Sequence, residues 1–151
     1  MELDHTLKRR ILGLDFGNKT CGVAVSDQLG MSAHGVEIIR REKKTKLRAT
    51  YRRIGELIEE YDPEKIVLGL PLNMDNSEGW RVEDTYAFRD ELVSKFGLPV
   101  ILTDERLTTV EAYEIMEETG VKREDMHLYV DEIAAMLILQ RYMDGSAETR
   151  E

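Results

Sequence analysis

One cysteine, three prolines and one tryptophan occur in 151 residues. The lone Cys21 excludes an internal disulfide and any multi-cysteine zinc site. Apolar runs such as Ile11-Leu12 and Ile66-Val67-Leu68 fall far short of the roughly 20 residues a membrane span needs. Lys8-Arg9-Arg10 is followed by no apolar stretch of signal-peptide length. His5, His34 and His127 are scattered without the spacing of metal ligands. These shortages predict a soluble, cytoplasmic chain with no membrane partner. Its 42% hydrophobic residues are too many for a disordered chain, and its length fits one domain over 1–151, with a polar leader at 1–8 and a polar tail at 144–151.

The net charge of −9 argues at first against nucleic acid. Its distribution argues the other way. Residues 1–53 hold 12 Lys/Arg against 6 Asp/Glu, and residues 54–151 hold 9 against 24. Between Arg40 and Arg53 stand eight basic residues, Lys43, Lys44 and Lys46 among them, with Glu42 the one acid. Such a segment can grip phosphates even on an acidic protein. A solvated helix face is the plain alternative.

Strand-like stretches run from Arg10 to Phe16 and from Lys19 to Ser26, joined through Gly17-Asn18, with a third from Gly35 to Arg40. Apolar residues at three- and four-residue steps predict a helix over Lys44–Tyr61, stopped by Asp62-Pro63. The continuous run Lys65–Leu70 reads as a buried parallel strand. A helix over Glu78–Phe96, a strand over Leu98–Thr103, a helix from Thr108 to before Gly120 and a last helix over Val130–Met143 follow. The order predicts an α/β sheet with helices on its faces.

Three segments each bring a carboxylate to the end of an element. Asp15 lies in or just after a buried strand, where an ionised group is costly without a partner. Capping the Gly17 turn would also explain it. Asp104 and Glu105 sit where the fifth strand runs out, and either could pair with Arg106. Asp131 and Glu132 open the last helix, where acids favour the dipole. Taken together, converging carboxylates are what a hard cation such as Mg²⁺ requires, and a two-metal site hydrolyses phosphodiesters. Cys21 reads as strand interior rather than nucleophile.

Gly13-Leu14-Asp15-Phe16-Gly17, Ile66-Val67-Leu68-Gly69-Leu70-Pro71, Asp104-Glu105-Arg106-Leu107-Thr108-Thr109 and Val130-Asp131-Glu132-Ile133-Ala134-Ala135 stand in order over residues 11–143. In this the chain resembles the YqgF family, also called RuvX, of RNase H-like nucleases. The resemblance implies a mixed sheet, three antiparallel strands continuing into parallel ones, with helices on both faces. It implies a catalytic metal site of Asp15, Glu105 and Asp131 holding Mg²⁺ or Mn²⁺, with Lys19 and Arg106 on the scissile strand. Its members process the 5′ end of precursor 16S ribosomal RNA or resolve Holliday junctions. The implied partners are pre-rRNA or branched DNA, the ribosome, and a second copy of the chain. Thr20-Cys21 departs from the family's usual Arg-Ile, and Glu124 and Asp125 offset Lys122 and Arg123, so Lys43, Lys44 and Lys46 are expected to supply grip instead.

Two other functions compete. Asp-x-Gly at a strand end also occurs in the actin and sugar-kinase fold, but that class closes two domains on a nucleotide and this chain has room for one. A non-catalytic nucleic-acid or ribosome-associated factor keeping the fold is the other, since fold alone does not dictate chemistry.

Overall fold

The computed structural model describes residues 7–71, 81–105 and 108–145, and of residues 149–150 the backbone alone. Strands β1 (Ile11–Phe16), β2 (Thr20–Ser26) and β3 (Ala33–Arg40) form where apolar and small residues alternate. Helix α1 (Arg48–Tyr61) leads to β4 (Lys65–Leu70), and α2 (Arg81–Phe96) to β5 (Val100–Asp104). Then come α3 (Thr108–Glu118), a 3-10 turn at Arg123–Asp125, α4 (Met126–Met143) and the two-residue β6 (Thr149–Arg150). The sheet order is β3-β2-β1-β4-β5-β6. β1, β2 and β3 are antiparallel, β1, β4 and β5 parallel, and β6 returns antiparallel on β5. This is the mixed sheet the resemblance implies.

Side chains alternate along a strand, so β1 turns Leu12, Leu14 and Phe16 to one face and Gly13 and Asp15 to the other. The first face carries the larger core, where Ile54 and Leu57 of α1 and Phe88 and Leu92 of α2 close over those residues. Fully burying each such side chain contributes roughly 1.5–3 kcal/mol. The second face is made of small residues and is covered by α4 through Ala135, Ile138 and Leu139. The helix lies very near the sheet: a Cβ on Gly13 would stand 2.8 Å from Leu139 Cβ, and one on Gly69 2.6 Å from Ile138 Cδ1.

Several boundaries differ from the sequence reading. The first helix starts at Arg48 rather than Lys44, because the Lys44 carbonyl accepts from Arg41 Nε (3.2 Å) and the Lys43 carbonyl from the Lys46 amide (3.0 Å), which spends these residues on a loop. The last helix starts at Met126 rather than Val130, so Asp131 lies in its second turn and owes nothing to an end-of-helix dipole. β3 begins two residues earlier than Gly35. Within the stretch read as a polar tail, Thr149 and Arg150 pair with Thr103 and Leu102, a bridge too short for any alternation to announce. The predicted helix start at Glu78 lies outside the described residues, as do His5 and Arg106.

Candidate active site

Strand register puts the acids together. Asp15 stands opposite Gly22 in the β1–β2 ladder, on the face turned to α4. Gly22 has no Cβ, and one placed there would lie 1.9 Å from the Asp131 carbonyl oxygen, so α4 rests directly on β2 at this point. On the parallel side, Gly69 pairs with Thr103 of β5, and Glu105 follows two residues on, on the same face. Its amide still donates to the Leu70 carbonyl at 3.2 Å, extending the parallel pairing one step. A Cβ on Gly69 would lie 3.0 Å from Glu105 Oε2, so this glycine makes room for the carboxyl.

Asp15 and Glu105 share a hydrogen bond. Asp15 is only 8% exposed, and burial pushes its carboxyl up to about 6. The hydrogen bond from Glu105 pulls it down, Asp131 raises it and Arg81 lowers it. Burial also drives Glu105 well above the usual carboxylate range, followed by the repulsion of Asp15 and its hydrogen bond to it. Both carboxyls are thereby biased toward their protonated forms. Arg81, whose guanidinium donates to the Phe16 carbonyl at 3.2 Å, favours the ionised forms, but desolvation outweighs it.

Asp131 stands beside this pair, close enough to repel Asp15, with its Oδ2 taken by the Thr20 hydroxyl at 2.6 Å. Among the described residues no three His, Cys, Asp or Glu side chains are gathered to hold one ion. The donor chemistry at Asp15 and Glu105 nonetheless fits a hard divalent cation: two oxygen-donor side chains lie enclosed, and burial disfavours their ionised forms, a cost that a cation offsets.

The turn beside Asp15 is closed by other groups. Gly17 N–H donates to the Thr20 carbonyl at 2.8 Å, and Arg41 donates to the Gly17 and Asn18 carbonyls, both at 2.6 Å. Arg41 is thus a buried clamp rather than part of a solvated basic face, and its guanidinium lies 4.8 Å over the Phe16 ring. Lys19 is exposed on the same turn, and Lys43, Lys44 and Lys46 are exposed on the following loop, where Lys44 pairs with Asp84 at 2.9 Å. Arg53 of that basic run is spent on Glu37 (2.6 Å) and Glu56 (3.1 Å). Arg106, expected on the scissile strand, falls outside the described residues.

Two residues the sequence reading missed belong here. Thr20 was visible only as a departure from Arg, and Arg81 only as a residue of a predicted helix. Neither has a local signal, since each matters through a neighbour more than sixty positions away. Cys21 is a buried strand residue, and burial pushes its thiol up, away from nucleophilic use.

The profile of the RuvX family, described as Holliday junction resolvase, matches residues 9–145. A protein of Agathobacter rectalis is 57% identical over 141 residues, 93% of this chain and 99% of its own length. One of Streptococcus thermophilus is 48% identical over 136 residues, 89% of this chain and 97% of its own. Both are named, provisionally, as pre-16S rRNA nucleases. Among solved structures, T. thermophilus RuvC in complex with a Holliday junction substrate superposes with a TM-score of 0.56 at 18% identity, covering 95% of this chain and 100% of that one. That likeness establishes an RNase H-like fold.

Proposed function

Since this chain belongs to the RuvX family, a nuclease family whose members hydrolyse phosphodiester bonds, we propose that it cuts nucleic acid at Asp15, Glu105 and Asp131 with a divalent cation, Mg²⁺ or Mn²⁺. The observation that carries the reading is the enclosed Asp15–Glu105 pair with Asp131 beside it, at the ends of two parallel strands and on the face of α4. When bound, the cation supplies a lowered pKa for the attacking water and charge stabilisation at the leaving oxygen. Asp15 and Glu105 would hold it in their ionised forms, its charge offsetting the cost of their burial. Asp131 joins from α4, its second oxygen steadied by Thr20. Arg81 balances the charge of the pair, and Lys19, Lys43, Lys44 and Lys46 attract the phosphates of the strand.

The substrate favoured is the 5′ end of precursor 16S rRNA, because relatives 57% and 50% identical carry that name. This makes the ribosome a partner and the cytoplasm the compartment. Junction resolution is the second reading, favoured by the family description and the RuvC-like fold. It requires a symmetric homodimer to meet two equivalent strands. Wild type, Asp15→Asn and Asp131→Asn are compared on single-stranded RNA, precursor rRNA ends and a four-way DNA junction, with Mn²⁺, Mg²⁺ or EDTA. Cleavage that needs metal and both aspartates supports the nuclease, and the preferred substrate separates the two readings. Nucleic acid bound but left intact under all conditions would instead indicate a non-catalytic factor.

A further inference from the structure

A cavity of about 290 Å³ opens at the C-terminal end of β1, on the α1 and α2 side of the sheet, across the strand end from the face that carries Asp15. Arg81 joins the two places. It lines the cavity, holds the Phe16 carbonyl, and acts electrostatically on Asp15 and Glu105. The cavity is mostly apolar, and behind Arg41 stands a stack of rings: the guanidinium lies 4.8 Å over Phe16, and Phe16 lies parallel to Phe88 with ring centroids 3.9 Å apart. Arg41, Lys44 and Arg81 put three guanidinium or ammonium groups on its wall. Arg41 already spends its N–H groups on carbonyls, so it offers charge and a flat surface rather than donors. Asp84 and Glu91 on the α2 side are already paired, with Lys44 at 2.9 Å and Lys95 at 3.9 Å, so the rim there is made of ion pairs.

Apolar depth and a flat guanidinium backed by aromatic rings suit one kind of group: a planar heterocycle attached to a phosphate. The volume lies at the small end of ligand sites, enough for a nucleoside and too little for a stacked pair. We propose that this cavity receives the base of one unpaired nucleotide next to the phosphodiester lying on the carboxylates. It makes the protein select strands that are single at that position, because a paired base cannot leave its stack without loss. The inference rests on the nuclease reading for the position of the phosphodiester, but not for the existence of the pocket.

The test fills the cavity from opposite sides. Thr45 on the basic loop and Ala87 on α2 both line it and are both exposed, so Thr45→Trp and Ala87→Trp occlude it without touching the core. Affinity for short single-stranded RNA, single-stranded DNA and the matching duplexes is read by fluorescence anisotropy in EDTA, where nothing is cut. Thermal melts verify that each variant is folded. Both variants are expected to bind single strands about tenfold more weakly, the loss of one stacked base, and duplexes unchanged. Wild type is then given single strands carrying an abasic site at successive positions. One position is expected to weaken binding in the wild type and to do nothing in the filled variants.

Equal single-strand affinity in wild type and both folded variants overturns the pocket, even if wild type cleaves with metal. So does a wild type that binds no single strand. Should no substrate be cut while both tryptophans and the abasic position weaken binding, the pocket stands and the nuclease reading falls. RNA and DNA arms that respond alike assign the cavity to the base, whereas a response in RNA alone assigns part of it to the ribose hydroxyl.

Discussion

The Thr20 hydroxyl donates to Oδ2 of Asp131 at 2.6 Å, joining the first residue of β2 to the second turn of α4. One oxygen of Asp131 is thereby held in place. A hydrogen bond to a charged acceptor is worth about 1.5–3 kcal/mol. Thr20→Val is expected to keep the fold but lower metal-dependent cleavage by about ten- to a hundredfold, with Thr20→Ser restoring most of it. Cleavage rates over a metal titration check this. A Thr20→Val enzyme as fast as wild type at every metal concentration would refute the positioning role.

Gly22 is the seat of that same turn. A methyl group there would meet the Asp131 carbonyl at 1.9 Å, and both sides of the contact are backbone. Gly22→Ala must therefore lift α4 or bend β2, at a cost of about 3 kcal/mol or more. Urea melts are expected to show that loss together with reduced activity, since Asp131 travels with the helix. A midpoint equal to that of wild type would mean the helix does not bear on the strand.

Protonation of the buried pair has a definite sign. Asp15 titrates near 6 when folded against an ordinary carboxylate value of 3.8. A raised carboxylate favours the folded state below the unfolded value and loses that contribution as pH climbs through about 6. The metal-free protein at pH 7 thus bears a buried charge that Arg81 offsets only in part. Asp15→Asn is expected to melt higher than wild type in EDTA at pH 7, by roughly 1–3 kcal/mol, and the advantage should shrink toward pH 4. With Mg²⁺ or Mn²⁺ added, wild type alone should gain stability. Melting curves at several pH values, with and without metal, decide it, and an advantage independent of pH would count against the raised Asp15 carboxyl.

The loop lysines are expected to act on affinity and not on folding. Lys44 already faces Asp84, so Lys43→Glu with Lys46→Glu is the cleaner change. Nucleic-acid affinity should fall, and the slope of log affinity against log salt should flatten by about 1.5–2. Melting behaviour should stay within about 0.5 kcal/mol of wild type. An unchanged slope would leave this loop without a role in phosphate contact.

Much of the framework was legible because sheet periodicity is local. The alternation from Ile11 to Phe16 sends Asp15 to the face opposite Leu12 and Leu14, and the apolar run Ile66–Leu70 belongs to a strand buried on both sides. Helix starts were less legible. Leu47 continues the spacing of Tyr51 and Ile54, which hides the loop that Arg41 imposes before Arg48. The exposed His127, Leu128 and Tyr129 break the apolar pattern that would have announced Met126 as the start of α4. The choice of Glu105 over Asp104, and of Asp131 over Glu132, came from family resemblance and not from any pattern. No spacing rule links acids 90 or 116 positions from Asp15. The roles of Arg81 and Thr20 arise where a helix start or a strand start meets a distant carbonyl or carboxylate, and such encounters have no signature along the chain.

The helix that carries Asp131 packs on β1, β2, β3 and β4 at once. Sheet pairing alone sets Asp15 and Glu105 in register, whereas Asp131 reaches them only through the seating of this helix. A change that loosens α4 anywhere along those four strands would therefore leave two of the acids where they are and withdraw the third, so the set of three reports on helix docking from a distance.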